Sequence, residues 1–181
     1  MSVRHVPGSL GNAHAKRLSK WRNLAPPQTR HLVDGVTEHL VPVFEAQGFQ
    51  RVDYVLMDRA APTPASYVVL ERVTGEVIDS ITFNFEKYRT PRFQIHVSRR
   101  TLAPSNSFIR AANLVRKNSQ YYCFWGKPWW LPTKFWSSTA TQRVLEGLLP
   151  VLQQVQPFIE RGDRGPNISK VVNIRVSASE A

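Results

Sequence analysis

The chain has a single cysteine, Cys123, in 181 residues, so no intrachain disulfide can form and nothing covalent staples the fold. Such sparing use of cysteine suits a reducing compartment. No apolar run of 18 residues occurs, and the first 30 residues lack the apolar centre of a secretory signal. A cytoplasmic protein with no membrane partner is therefore expected. Signatures of chemistry are missing as well. There is no Gly-x-Ser-x-Gly elbow, no P-loop and no dinucleotide fingerprint. "GSLGN" (8–12) has two glycines, but neither the lysine nor the hydroxyl falls at P-loop spacing. On this basis no catalytic residue, cofactor or metal is assigned.

Isolated titratable residues do not reverse that reading. His31, Asp34 and Glu38 fall at i, i+3 and i+7, with His39 nearby, but a solvated helix face explains them as well as a metal site does. Cys123 sits between Tyr122 and Phe124, an apolar setting that raises a thiol pKa. An enzyme would need a pocket joining distant groups, such as His96 with Asp79 or Cys123.

The most informative absence is of negative charge. The net charge is +11, and residues 87–145 contain eleven Lys/Arg without one Asp or Glu. Residues 1–30 also hold no acid against six basic residues, whereas residues 31–86 hold nine acids and three basic residues. A basic surface of this kind attracts an anionic partner. Within the acid-free stretch lies "YYCFWGKPWWLPTKFW" (121–136), with eight aromatic residues and four of the five tryptophans. Aromatic side chains carry the largest apolar area per residue, so most of these are expected to be buried. Phe124, Trp130 and Phe135 are assigned to the core, and Trp125, Trp129 and Trp136 to partial exposure. Pro128 and Pro132 suit a looped wrap over the sheet.

What is present gives an α+β fold. At this length roughly two-thirds of the unfolded surface can be buried, enough for one domain without a staple. Residues 1–27 read as a basic flexible arm that Trp21 could anchor, with a short basic helix at Lys16, Arg17, Lys20 and Arg22 as the alternative. Residues 28–165 read as the domain, and 166–181 as a tail in which "ISKVVNIRV" (168–176) supplies an edge strand. Leu32, Val36, Leu40, Val43 and Phe44 predict a helix over 28–47, kinked at Pro42. Strands are expected at about 50–58, 66–73, 77–86 and 91–99, with short connections that require antiparallel neighbours. Asp79 interrupts an apolar face and should lie near a strand end. A helix capped by Ser105 or Ser107 is expected through Lys117. A last long helix over 140–160, capped by Thr139 or Thr141 and interrupted by Pro150 and Pro157, completes the set. "VTEHLVPVFEAQ" (36–47) and "VLEGLLPVLQQV" (144–155) echo each other, as two kinked core helices would.

"LVPVFEAQGF" (40–49), "ITFNFEKY" (81–88), Trp129-Trp130 and "VQPFIERG" (155–162) resemble a bacterial family of small α+β proteins known as a domain of unknown function. The resemblance covers about residues 28–162. It implies a helix-backed antiparallel sheet and no catalytic set or cofactor. Some small families of this type lie beside toxin, mobile-element or defence genes, which keeps an immunity or partner-binding role open.

The resulting expectation is a four- to five-stranded meander, covered on one face by two long kinked helices and joined by a shorter one. Its function is expected to be non-enzymatic interaction with an anionic partner, an acidic protein first and nucleic acid as the alternative; an enzyme with a dispersed site is the third reading. The candidate contact residues are Arg89, Arg92, His96, Arg99, Arg100, Arg110, Arg116, Lys117, Trp125, Lys127, Trp129, Lys134 and Trp136.

Overall fold

The computed structural model describes residues 10–55, 58–62, 64–101, 106–117 and 119–177. Within the expected arm, residues 1–9 lie outside that range, as does the Ser105 cap. The described chain is an α+β fold built on a seven-stranded antiparallel sheet in the order β1-β4-β5-β6-β7-β9, with β8 beside β6. These strands are β1 (Gln50–Val52), β4 (Tyr67–Thr74), β5 (Val77–Phe85), β6 (Arg92–Thr101), β7 (Asn106–Leu114), β8 (Trp125–Gly126) and β9 (Val172–Ser177). A separate hairpin joins β2 (Tyr54–Val55) to β3 (Asp58–Pro62).

Alternation decides the faces of the central strands. Phe83, Phe85, Phe93, Ile95 and Val97 point to the helix-covered side and are fully or almost fully buried. That side is closed by α2 (Pro27–Gly35), α3 (Val41–Glu45), α4 (Ser138–Leu152) and α5 (Val155–Arg161). Leu32, Val36, Leu40, Phe44, Leu145, Leu148, Leu152 and Phe158 meet the sheet in one core. Gly35 permits the close crossing of α2 and α4, because a Cβ there would lie 2.4 Å from a Leu145 methyl.

The proline in the first long helix is accommodated by widening. Pro42 has no N–H to give to the Glu38 carbonyl. Immediately ahead of it, Val36–Leu40 forms a π-turn, and the Val41 N–H reaches back to the Val36 carbonyl. The last helix instead breaks in two. α4 is capped by the Ser137 hydroxyl, which accepts from the Ala140 N–H at 3.1 Å, rather than by a threonine. The chain turns at Gln153-Gln154 and restarts as α5, where Pro157 falls in the first turn and needs no donor.

Two expectations are corrected. Residues 106–117 do not form a helix. From Asn106 they run as β7, antiparallel to β6, with Val97 opposite Ala112 and Ile95 opposite Leu114. A short segment with apolar residues at 108, 112 and 115 fits either period, and sheet pairing decides. The N-terminal arm is not loose throughout. Leu10–Asn23 is a helix, α1, with Trp21 in the core against Phe85. Arg22 pairs with Asp34 through both carboxylate oxygens, and Arg17 reaches buried Asp53 at 3.0 Å. Val172–Ser177 is the edge strand expected of the tail.

Asp79, third residue of β5, is only 1 % exposed. Arg72 and Arg99 lie opposite it on the two neighbouring strands. Arg99 donates to both carboxylate oxygens, at 2.7 and 3.1 Å, and Arg72 adds a bond at 2.9 Å. Arg99 also donates to the Glu160 carbonyl, and Arg110 to those of Phe158 and Ile159, so the same row of arginines caps the last turn of α5. Removing the buried carboxylate leaves two half-buried guanidinium groups without their shared partner. Asp79→Ala should lower the unfolding free energy in urea by about 3–5 kcal/mol; a loss under about 1 kcal/mol would mean that the arginines find water as good a partner.

Candidate functional site

The surface that stands out is built where two distant parts of the chain meet. β8 lies against the start of β6, with Gly126 opposite Arg92 and Trp125 opposite Phe93. The Lys127 N–H then bonds to the Pro91 carbonyl at 2.9 Å. This brings the turn between β5 and β6, residues 86–91, beside the aromatic segment. Arg89 in that turn has a left-handed backbone, φ 60°, which a residue with a Cβ rarely adopts. The Thr29 hydroxyl holds the Arg89 carbonyl.

Beyond Gly126 the backbone makes a tight turn from Pro128 to Leu131, closed by the Leu131 N–H on the Pro128 carbonyl at 3.2 Å. Trp129 and Trp130 are the two central residues of that turn, and both project into solvent, 83 % and 65 % exposed. The turn is braced from within. The buried Lys127 ammonium donates to the Pro128 and Leu131 carbonyls. Burial, with the nearby Arg92 charge, pulls the Lys127 pKa below its usual value. A short 3₁₀ turn, Thr133–Phe135, follows and leaves Phe135 exposed with the Lys134 ammonium 5.0 Å above its ring. Tyr88, also exposed, carries Lys87 over its face in the same way. Arg92 lies 4.6 Å over the half-buried Phe124 ring. Exposed aromatic faces with cations beside them, and no carboxylate in the contributing segments from residue 87 onward, make an end suited to an anionic partner with apolar side chains.

The tryptophans divide differently from the expectation. Trp125 and Trp136 are buried, each 8 % exposed, because each indole N–H has an internal acceptor: the Leu114 carbonyl for Trp125 and the Thr141 hydroxyl for Trp136. Trp130 and Phe135, assigned to the core, are at the surface. Trp129 is exposed as expected, more fully than a partly covered ring would be.

The arginines divide as well. Arg99 and Arg110 are not on an outward face: both turn toward α5, held by Asp79 and by helix carbonyls. Arg110 stands on β7 and not on a helix. Arg100 is on the other side of the sheet, 3.7 Å from the Glu71 carboxylate. His96 shares that side, half-buried, and burial lowers its pKa despite a bond with Asn113. Arg116 and Lys117 are exposed at the end of β7, with the Arg116 guanidinium 5.5 Å from the Trp125 ring and exposed Tyr121 and Tyr122 a few residues on. The structure therefore gathers Arg89, Arg92, Lys127, Trp129 and Lys134 from the candidate residues. It adds Lys87, Tyr88, Trp130 and Phe135, which sequence reasoning did not name as contacts.

Asp79 and His96 are not brought together. Asp79 and His96 project from opposite faces of the sheet, since Asp79 faces Arg99 and His96 faces Thr82. Burial raises the Cys123 thiol pKa, which disfavours the reactive thiolate. Asp34, one member of the helix triad, is engaged by Arg22. Among the described residues no group of three His, Cys, Asp or Glu side chains could hold a metal ion, and no helix is long and apolar enough to cross a membrane. Comparison with family models, curated proteins and solved structures returns no match.

Exposure decides what each tryptophan does for stability. Trp129→Ala and Trp130→Ala should each change unfolding free energy by less than about 0.5 kcal/mol, while sharply reducing the fluorescence that acrylamide can quench. Trp125→Ala should cost about 3–5 kcal/mol. A large loss of stability on removing Trp129 would place that ring in the core.

Proposed function

We propose that this chain is a non-enzymatic binding protein whose aromatic and basic end seats an acidic segment of another protein. The observation that carries this reading is the pair Trp129-Trp130, displayed at the tip of a turn that buried Lys127 stiffens. Tryptophans held ready on a rigid turn lose little freedom on binding and are the residues most enriched in binding hot spots. The surrounding cations favour a carboxylate-rich partner, and they speed its encounter at low salt.

Nucleic acid is the second reading, favoured by one observation: Arg116 and Lys117 are exposed beside Tyr121 and Tyr122, and single strands need both phosphate-binding cations and stacking faces. The protein reading is preferred because the most exposed pair sits on a projecting turn, a shape suited to entering a partner's pocket, rather than on a flat sheet.

Selection against a random peptide library separates the two. The immobilised full chain should enrich sequences carrying Asp or Glu together with apolar residues, and the Trp129→Ala, Trp130→Ala double variant should lose that enrichment while remaining folded. Enrichment that survives the double variant contradicts the reading. Tighter binding of a labelled dT16 oligonucleotide than of any selected peptide, falling steeply as salt rises from roughly 50 to 200 mM, would favour nucleic acid.

A further inference from the structure

The loop that follows α5 is held from inside. Gln154 accepts the Asn167 N–H at 3.0 Å and gives its own amide to Asn167 Oδ1 at 2.9 Å. The Asn167 amide in turn reaches the Val115 carbonyl at 2.8 Å, and the Val115 N–H bonds back to the Asn167 carbonyl. On this braced loop Arg161 and Arg164 are exposed. Together with Arg110 of β7 they line an open cleft of about 430 Å³, completed by Phe108 and Asn173. Arg164 also lines an adjoining cleft, with Ser119 and Gln120.

Each guanidinium is positioned by bonds that leave donors over. Arg110 gives Nη1 to the Phe158 and Ile159 carbonyls, and lies so close to Gly162 that a Cβ there would stand 2.9 Å from its Cζ. Arg164 gives Nε to the Ile168 carbonyl at 3.3 Å. Arg161 gives Nε and Nη2 to one oxygen of Asp163, at 2.7 and 2.6 Å. Among the described residues no acceptor takes Nη2 of Arg110, Nη1 of Arg161 or either terminal nitrogen of Arg164. Arginines fixed in this way, with spare donors, are prepared for an oxyanion.

Three arginines against Asp163 leave an excess of two positive charges. A phosphate monoester carries close to two negative charges at pH 7. The adjoining cleft brings a hydroxyl and an amide from Ser119 and Gln120, and among the described residues no charge besides Arg164. It therefore suits the polar, uncharged remainder of such a ligand. We propose that the two clefts bind a polyol phosphate, with the phosphoryl group on Arg110, Arg161 and Arg164 and the hydroxyls at Ser119 and Gln120. The site shares no residue with the aromatic end, and this reading stands independently of the partner surface.

Ribose 5-phosphate is the probe, with ribose, inorganic phosphate and the oligonucleotide dT16 as comparators. Each is titrated into the full chain while the Nε–H signals of Arg110, Arg161 and Arg164 are followed by NMR. Ribose 5-phosphate should shift all three saturably, and ribose should shift none. It should also bind roughly tenfold more tightly than inorganic phosphate, the gain of one or two hydrogen bonds in the second cleft. Arg164→Gln, at an exposed position, should weaken binding roughly tenfold, and Asp163→Asn should strengthen it by releasing Arg161. Arg143→Gln, which removes the same charge from an exposed position on α4, should leave it unchanged. The proposal is overturned if ribose 5-phosphate shifts none of the three signals saturably, or if inorganic phosphate binds equally tightly. It is also overturned if dT16 binds more tightly, which would assign the clefts to a nucleic-acid backbone, or if Arg143→Gln weakens binding as much as Arg164→Gln.

Discussion

Strand β8 can lie on β6 only because residue 126 has no side chain. Gly126 adopts φ 108°, and a Cβ there would stand 2.5 Å from the Pro91 carbonyl oxygen. Both the conformation and the contact exclude other residues. From this one close approach follow the Lys127–Pro91 bond, the direction in which the next turn leaves the sheet, and the placing of the 86–91 turn beside the segment that carries the tryptophan pair. The aromatic end is thus assembled by a backbone contact rather than by the side chains it displays.

The large positive charge has two destinations. Part is spent inside: Arg72 and Arg99 neutralise Asp79, Arg110 and Arg99 satisfy the carbonyls that end α5, and Arg100 faces Glu71. These cations answer the acids of residues 31–86, so charge that is segregated in sequence is partly mixed in space. Other cations, among them those around the aromatic end, face no acid in the contributing segments from residue 87 onward. Under the function proposed, an anionic partner would be drawn by the lysines and arginines beside the exposed rings.

The sheet was legible because its strands announce themselves in a period of two: Phe83 with Phe85, and Phe93 with Ile95 and Val97, each alternating with polar neighbours. β7 was not, because "FIRAANLV" satisfies helical spacing as well, and only the partner strand distinguishes them. Helix α1 ranks only second in the sequence for a different reason. It docks largely through Trp21 and two ion pairs, and ion pairs to Asp34 and Asp53 leave no periodic trace. Average burial does not sort the tryptophans, because local geometry decides which rings are covered. Pro-Trp-Trp-Leu forms a tight turn whose two central side chains point away from the chain, whereas Trp125 and Trp136 are drawn inward by acceptors on Leu114 and Thr141. The proline before the pair was the available signal, since proline at the start of such a segment favours a turn.

The central claim is that this turn, and not the buried indoles, meets the partner. Indole ¹⁵N resonances report on each of the five tryptophans separately, and titration with a 16-residue peptide of alternating Glu and Leu would read them in one experiment. The account predicts that the Trp129 and Trp130 signals shift together and saturate while those of Trp21, Trp125 and Trp136 stay fixed. Shifts in all five signals, or in none while the peptide binds elsewhere, would contradict it.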